Sequence, residues 1–181
     1  MKTKRDRVLT VAGAALLPVL WAASFGSAAA QGARAPRTFN STVTHTGPAG
    51  NTLTRQSQLT TNGQGGFNSS STWTGPRGKT ATAQSSGQYN AATKTYTSSG
   101  TFTGPAGRQS TYATTVQGNG QGGYNRTTTL TGPNGKQTII NGQGQYNAAT
   151  GTFNQSRTTT YPNGQSSTET RNVSVSPASG N

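Results

Sequence analysis

A turn built on Pro-x-Gly recurs five times in this chain at a nearly constant interval. The residues that precede the prolines lie at positions 47, 75, 104, 132 and 161, so the turns step by 28, 29, 28 and 29 residues. A fixed period of about thirty residues indicates that each repeat is one supersecondary unit that buries its surface against neighbouring units. An aromatic residue stands eight positions before each turn, at Phe39, Phe67, Tyr96, Tyr124 and Phe153.

The residues between each aromatic residue and its turn alternate in polarity. In the third repeat, for example, Thr101 and Thr103 are polar, whereas Phe102 lies between them. The corresponding polar positions carry only hydroxyl or amide side chains in all five repeats. A period of two with one polar and one partly apolar face is typical of a half-buried β-strand, and Thr and aromatic residues favour strands. We therefore expect hydroxyl and amide groups on one surface of a sheet and the rings on its reverse.

Each predicted strand ends at its Pro-x-Gly turn, and a second strand follows. Proline presets the backbone of the first corner residue, and the glycine accepts the positive φ that a tight turn or bulge requires. The second strand is closed by a corner of two alternating forms, Asn-Gly-Gln-Gly-Gly at 62–66 and 119–123, and Tyr-Asn-Ala-Ala-Thr at 89–93 and 146–150. The predicted fold class is all-β, a repetitive antiparallel β-hairpin meander of about ten strands over residues 39–176. The alternative is a β-solenoid with one strand-turn-strand coil per repeat.

The two ends of the chain differ in composition from the repeats. Four basic residues near the N-terminus precede an apolar run over residues 8–23 and small residues that end in an alanine triplet at 28–30, which predicts a secretory signal peptide over 1–30. The run is shorter than the ~20 residues that a membrane span needs. Residues 31–38 are predicted to form a leader segment and residues 177–181 a disordered tail. The mature protein is therefore expected to be secreted, extracellular or periplasmic, with no transmembrane segment.

The predicted mature chain is strongly basic. It keeps 11 of the 15 lysine and arginine residues and only one of the two acidic residues, Glu169, which leaves a net charge of +10. Such a charge attracts polyanions and anionic surfaces in a manner that depends on ionic strength. The basic residues are spread along the chain, and no nucleic-acid-binding motif is present. The expected partners are further copies of the chain, an anionic polymer or a cell surface, and not a specific nucleic acid.

Candidate residues for catalysis or metal binding are scarce in the repeats. These contain no Asp and no Cys, and their only Glu and His are Glu169 and His45. A pair of carboxylates, a Ser nucleophile with a carboxylate-held base, or a metal-ligand cluster therefore cannot be assembled within one chain. We predict that the protein is not an enzyme and has no cofactor or metal site, and we interpret His45 as a packing residue. Each of the two residues occupies a repeat position, or slot, that is filled differently in the other repeats. The slot of His45 holds Trp73, Phe102, Leu130 and Thr159. The slot of Glu169 holds Arg55, Ala83, Tyr112 and Ile140.

The candidate binding surface is the hydroxyl face, where each repeat carries a Thr-x-Thr pair immediately before its turn. A flat array of such pairs is suited to an ordered lattice such as ice or a crystalline polysaccharide. The alternative interpretation is that Thr covers the solvated side of a sheet because of its high strand propensity. The ten candidate residues are Thr44, Thr46, Thr72, Thr74, Thr101, Thr103, Thr129, Thr131, Thr158 and Thr160.

Two local resemblances to secreted repeat proteins are present. The stretch 146–153 that leads to Tyr161-Pro162-Asn163-Gly164 resembles the turn pattern of YD-type hairpin repeats, although the strands are longer and the apolar anchors fewer. The Gln, Asn and Gly content is similar to that of curli-type fibre subunits, without the regular glutamine and asparagine ladder spacing of that family. We assign the chain to neither family.

The function expected from the sequence is that of a secreted, non-enzymatic β-repeat protein with a structural, adhesive or matrix-forming role. Large apolar residues are too few for a conventional globular core, so the rings are expected to be buried against another layer or another copy. The alternative function is a surface-binding or polymer-binding module for anionic polysaccharide, envelope polymer or ice, acting through the Thr-rich face. A third interpretation is a disordered secreted polymer.

Overall fold

The computed structural model describes residues 35–174, which form a single ten-stranded sheet. The predicted signal peptide at 1–30, residues 31–34 of the predicted leader segment and the predicted tail at 177–181 lie outside the described residues. The first strand begins at Arg37, inside the segment predicted as leader. The strands are β1 (Arg37–Thr46), β2 (Thr52–Thr61), β3 (Gly66–Thr74), β4 (Thr80–Asn90), β5 (Thr95–Thr103), β6 (Gln109–Gly118), β7 (Gly123–Thr131), β8 (Gln137–Asn147), β9 (Thr152–Thr160) and β10 (Ser166–Ser174).

Every strand pairs antiparallel with the next strand along the chain, in the order β1 to β10. This topology confirms the predicted all-β hairpin meander. It excludes the solenoid alternative, in which equivalent strands of successive repeats stack directly on one another. In the meander a second strand intervenes, so equivalent strands lie about 9.5 Å apart, which is twice the spacing of neighbouring strands.

The two faces of the sheet differ in the way the alternation predicts. Thr101 lies opposite Thr111 and Phe102 lies opposite Ser110, so consecutive residues of β5 point to different faces. We call the face that carries Thr101 the polar face and the face that carries Phe102 the ring face. Within the ten strands the polar face has no charged side chain, and its only apolar side chains are Ala113 and Ile139. All charged residues of the strands therefore lie on the ring face.

The sheet is one layer and has no buried apolar core among residues 35–174. The most buried side chains are hydroxyls of the ring face, Ser71, Ser98, Thr114 and Thr128. The Oγ1 atoms of Thr114 and Thr128 share a hydrogen bond of 2.9 Å, which compensates for their burial. The sequence predicts that the rings are buried against another layer or another copy, and no second layer is present in residues 35–174.

The rings instead pack within the sheet, on glycines of the neighbouring strand. A Cβ atom added to Gly87 would lie 2.5 Å from Cε1 of Phe67, and one added to Gly144 would lie 2.5 Å from Cε1 of Tyr124. Each ring thus occupies the space that a side chain of its neighbour would fill, and it covers that neighbour's backbone. The rings of Tyr124 and Phe153 also stack on each other, with centroids 6.4 Å apart.

The five Pro-x-Gly corners share one hairpin geometry. In the first, the Gly50 N–H donates to the Gly47 carbonyl at 3.0 Å, and the Gly47 N–H donates to the Asn51 carbonyl at 2.9 Å. Gly50 has a φ of 73°, and the equivalent glycines of the other four corners also have positive φ. This is a turn followed by a one-residue bulge, a connection that suits the right-handed twist of the strands. Because the chain meanders, all five corners lie at the same end of the sheet.

The corners at the opposite end are held by asparagine side chains. Oδ1 of Asn119 accepts hydrogen bonds from the N–H groups of Gln121 at 2.8 Å and Gly123 at 2.9 Å. Its Nδ2 donates to Oε1 of Gln145 at 2.8 Å, which reaches from β8. Asn62 makes the equivalent bonds in its own corner. The corners of Asn62 and Asn119, two of the four at this end, are therefore tied to the strand beyond as well as to their own hairpins.

Candidate functional site

All ten candidate threonines lie on the polar face, at the ends of β1, β3, β5, β7 and β9 that meet the Pro-x-Gly corners. Successive pairs are staggered, because the second threonine of one repeat is level with the first threonine of the preceding repeat. Thr44 and Thr74, for example, both lie opposite Thr54. The other three levels are Thr72–Thr82–Thr103, Thr101–Thr111–Thr131 and Thr129–Ile139–Thr160.

The five threonine pairs therefore form one band that runs diagonally across the strands of the polar face, and they do not lie side by side at one level. Thr54, Thr82 and Thr111 fill the intervening strands and extend the hydroxyl surface, whereas Ile139 interrupts it on β8. Side chains of the band repeat at about 6.8 Å along a strand and about 4.8 Å between strands. Sequence reasoning missed the intervening threonines because their membership depends on strand register.

Several hydroxyl groups of the band are oriented by cross-strand hydrogen bonds. Oγ1 of Thr158 lies 3.0 Å from Oγ1 of Thr168, and Oγ1 of Thr160 lies 3.3 Å from Oγ of Ser166. At the other side of the sheet, Oγ1 of Thr44 lies 3.5 Å from Oγ1 of Thr54. Such bonds restrict the rotation of the hydroxyl groups, so these side chains would lose less conformational entropy on binding a rigid ligand.

A shallow groove of about 560 Å³ crosses strands β2 to β6. It is lined mainly by amide and hydroxyl side chains of the polar face, including Gln58, Asn68, Gln84 and Ser86. Of the ten candidate threonines, only Thr101 lines it. The lining carries no charge, so its chemistry suits hydroxyl groups and neutral amides better than ions.

The exposed basic residues of the corners form a separate surface, which we call the basic corner row. Lys79, Arg108 and Lys136 occupy the same position after the turn glycine in three successive repeats, and Arg77 lies beside the first of them. All four side chains are exposed. The meander brings their corners to one end of the sheet, where strand pairing spaces them regularly. The charge of an anionic polymer is complementary to this row and not to the uncharged polar face.

The ring face has its own charged groups. The guanidinium carbon of Arg55 lies 5.2 Å from the centroid of the Trp73 ring, within the range of a cation–π contact. Burial lowers the pKa of Arg126; the neighbouring Tyr124 opposes this effect, and Arg157 adds to it. Arg157 donates to Oε2 of Glu169 at 2.7 Å.

His45 and Glu169 lie on the two outermost strands of the sheet. His45 is exposed on β1, because that strand has a neighbour on one side only. Its interpretation as a packing residue is therefore wrong for a single copy. The side chain of Glu169 on β10 is 65% exposed despite its contact with Arg157.

No group of three or more His, Cys, Asp or Glu residues within 35–174 is placed to hold a metal ion. Over the same stretch, no helix has the length and apolar character to cross a membrane. The chain matched no protein-family model, no curated protein and no solved structure. The surfaces available for a functional interpretation are thus the polar face, the ring face, the basic corner row and the two outer strands.

Proposed function

We propose that this chain is a secreted, non-enzymatic structural protein that assembles into adhesive or matrix-forming material. The observation that carries the proposal is the single layer of ten strands without a buried apolar core in residues 35–174. A conventional domain buries one face of its sheet against a second layer. Within the described residues, neither face and neither outer strand is covered by another element, so all of them are open to contacts with other copies.

Exposed apolar side chains at the sides of the sheet support assembly. Phe39, Val43 and Leu53 of the first hairpin are 52%, 59% and 42% exposed, and Val173 of the last strand is 36% exposed. All four lie on the ring face, three at the β1 side of the sheet and Val173 at the β10 side. A second copy that contacts either side would cover apolar surface that a single copy leaves exposed.

The remaining support comes from the sequence. The basic and apolar pattern over residues 1–30 favours export, and the scarcity of carboxylate, imidazole and thiol groups in the repeats favours a role without catalysis. Regular repetition also suits a structural material, since each unit contacts only its neighbours.

Size-exclusion chromatography with light scattering, combined with circular dichroism, tests this proposal. We expect a strand-rich spectrum and a molar mass that rises with protein concentration. A protein that stays monomeric at high concentration and does not adhere to surfaces would contradict it. A spectrum without strand signal would instead support the disordered-polymer interpretation.

A second candidate function is binding of a polymer, and the uncharged groove on the polar face favours it. We expect the protein to be retained on an insoluble neutral polysaccharide, and this retention should not depend on salt. Its loss on changing Gln58, Gln84 and Thr101 to Ala would support this function. The matched control changes Lys79, Arg108 and Lys136 to Gln. Retention is also measured on an anionic polymer. If that retention weakens with salt and is lost only in the control variant, the basic corner row is the binding surface.

A further inference from the structure

We propose that the sheet continues from one copy of the chain to the next by antiparallel pairing of β10 with the partner's β1. The register places Glu169 opposite the partner's His45. This inference rests on the proposed structural function and deepens it, because it names the partner as a second copy and the outer strands as the contact surfaces.

Among residues 35–174, each outer strand pairs with one neighbour only and presents backbone groups without a strand partner on its other side. In β1, the bond between Gly47 N–H and the Asn51 carbonyl fixes which alternate residues face β2, so the backbone groups of Thr42 and Thr44 point away from the sheet. The bond between Tyr161 N–H and the Gln165 carbonyl fixes the same alternation in β10. Neither strand contains a proline or a residue with positive φ. Both therefore lack proline and left-handed residues, two features that interrupt pairing at a sheet edge, and their charged residues Arg37, Glu169 and Arg171 all lie on the ring face.

The register follows from the pairings within the chain. Each repeat consists of two strands, and within the chain the second strand of one repeat pairs with the first strand of the next. Strand β10 is the second strand of the last repeat, and β1 is the first strand of the first repeat. Their contact between copies would therefore be of the same kind as these four contacts. Each of those four contacts places the slot of Glu169 directly opposite the slot of His45. The pairs are Arg55 with Trp73, Ala83 with Phe102, Tyr112 with Leu130, and Ile140 with Thr159.

The proposed register is chemically consistent. It sets the only histidine of the chain against the only acidic residue of the repeats. By the alternation of the strands they form a pair without direct backbone hydrogen bonds, the type in which side chains approach most closely, with Cα atoms about 4.5 Å apart. The carboxylate of Glu169, already bound by Arg157 at 2.7 Å, accepts a hydrogen bond from the partner's imidazole. On the polar face, Thr170 lies opposite the partner's Thr44.

The pairing also covers apolar groups that a single copy leaves exposed. Val43 of β1, which is 59% exposed, comes to lie beside Arg171, and Val173 of β10 lies beside the partner's Ser41. The rings of one copy then continue those of the next. Because β1 and β10 are different surfaces, the contact does not close by a two-fold axis, and it joins copies head to tail into species larger than a dimer.

Disulfide cross-linking tests the register directly, because the chain contains no cysteine. In the double variant Ser41→Cys/Val173→Cys, the two thiols are opposite each other across the proposed contact, at a separation that suits a disulfide. We expect mild oxidation to give a ladder of dimers, trimers and larger species on a non-reducing gel, which collapses to monomer on reduction. The matched control, Ser41→Cys/Ser167→Cys, moves one thiol six residues along the same face, about 20 Å away, and should give no ladder.

The outcomes separate the register from the proposed function. If the unmodified protein assembles in light scattering but the double variant gives no ladder, the register is wrong and the structural function stands. Dimers from the single variant Ser41→Cys or Val173→Cys, without a ladder from the pair, would indicate two-fold pairing of like strands and also overturn it. A monomeric protein would contradict both proposals. Circular dichroism of each variant confirms that the strands are retained.

Charge reversal provides a second test. The variant His45→Glu places two carboxylates opposite each other, and we expect the concentration needed for assembly to rise about fivefold. Adding Glu169→Gln removes the repulsion without placing a second cation opposite Arg157, and should recover most of the loss. Equal assembly of all three proteins would contradict the proposed register.

Discussion

At the scale of single residues, the ring face depends on glycines that leave room for rings. Phe67, Tyr112 and Tyr124 each extend over a glycine of a neighbouring strand. A glycine in a strand normally weakens it, because its backbone is exposed and it has no side chain to pack. In this sheet the ring supplies the missing cover, so apolar burial is obtained within a single layer.

The substitution Gly144→Ala tests this packing. Its new Cβ atom would lie 2.5 Å from Cε1 of Tyr124 and 2.7 Å from Cζ of Phe153, so both rings must move. We expect the free energy of unfolding to fall by about 1–3 kcal/mol. The control is Gly142→Ala on the same strand and face, where the nearest atom is the Ser156 carbonyl oxygen at 3.6 Å. Equal effects in urea denaturation would contradict the role assigned to the rings.

Lys94 is the one non-glycine residue with positive φ among residues 35–174. Its φ is 53°, and the equivalent corner in the other pair of repeats has Gly151 with a φ of 63°. A left-handed conformation costs a residue with a Cβ atom about 1 kcal/mol. We therefore expect Lys94→Gly to raise the free energy of unfolding by about this amount, and Gly151→Lys to lower it similarly. Thermal denaturation of both variants measures the effect, and a loss of stability in Lys94→Gly would oppose this explanation.

At the scale of strands and corners, local hydrogen bonds define each connection. The Pro-x-Gly corners are closed by backbone bonds, whereas two of the four corners at the opposite end also use a side chain, that of Asn62 or Asn119. The second kind also contacts the following hairpin through Gln88 or Gln145. Each such corner therefore helps to set the register between repeats.

The variant Asn119→Ala removes the acceptor for two backbone N–H groups and the bond to Gln145. We expect a loss of about 1–2 kcal/mol and faster hydrogen exchange in the corner between β6 and β7. Asn134→Ala, in an exposed Pro-x-Gly corner, is the control and should change stability by less than about 0.5 kcal/mol. Unchanged exchange at Gln121 and Gly123 in Asn119→Ala would show that the side chain does not hold the corner.

The sequence predicts local features of these elements better than features that depend on register. The opposite faces of Thr101 and Phe102 follow from a period of two, and the turn at Pro48 follows from the fixed φ of proline and the tolerance of glycine. The stagger of the threonine pairs could not be predicted in this way, because it accumulates over several strand pairings. The glycines under the rings left a signal, since Gly87 and Gly144 share the parity of the aromatic residues, but only the register shows which ring covers which glycine.

At the scale of the whole molecule, the sheet is a linear array in which each strand contacts its immediate neighbours. Stability in such an array is approximately a sum of unit terms and nearest-neighbour terms. Removal of a whole pair of repeats should therefore leave a smaller sheet with the same local structure.

Deletion of residues 72–128 tests this additivity. It removes one pair of repeats and joins Ser71 to Thr129, so the faces of the remaining strands stay in phase. We expect a strand-rich circular dichroism spectrum and a smaller dependence of unfolding free energy on urea, because less surface is exposed on unfolding. The control, deletion of residues 72–127, leaves one surplus residue in the joined strand, which reverses its faces or forces a bulge. If the two deletions were equally stable, face segregation would not govern this fold.

The sheet is a single layer over residues 35–174, and we propose that its outer strands are its contact surfaces. Amide hydrogen exchange measured by NMR tests this proposal most directly, at protein concentrations below and above the onset of assembly. We expect fast exchange at Thr42 and Thr44 of β1 and at Thr168 and Thr170 of β10 in the dilute protein, and strong protection of the same amides on assembly. Assembly without any change in exchange at these four positions would contradict it.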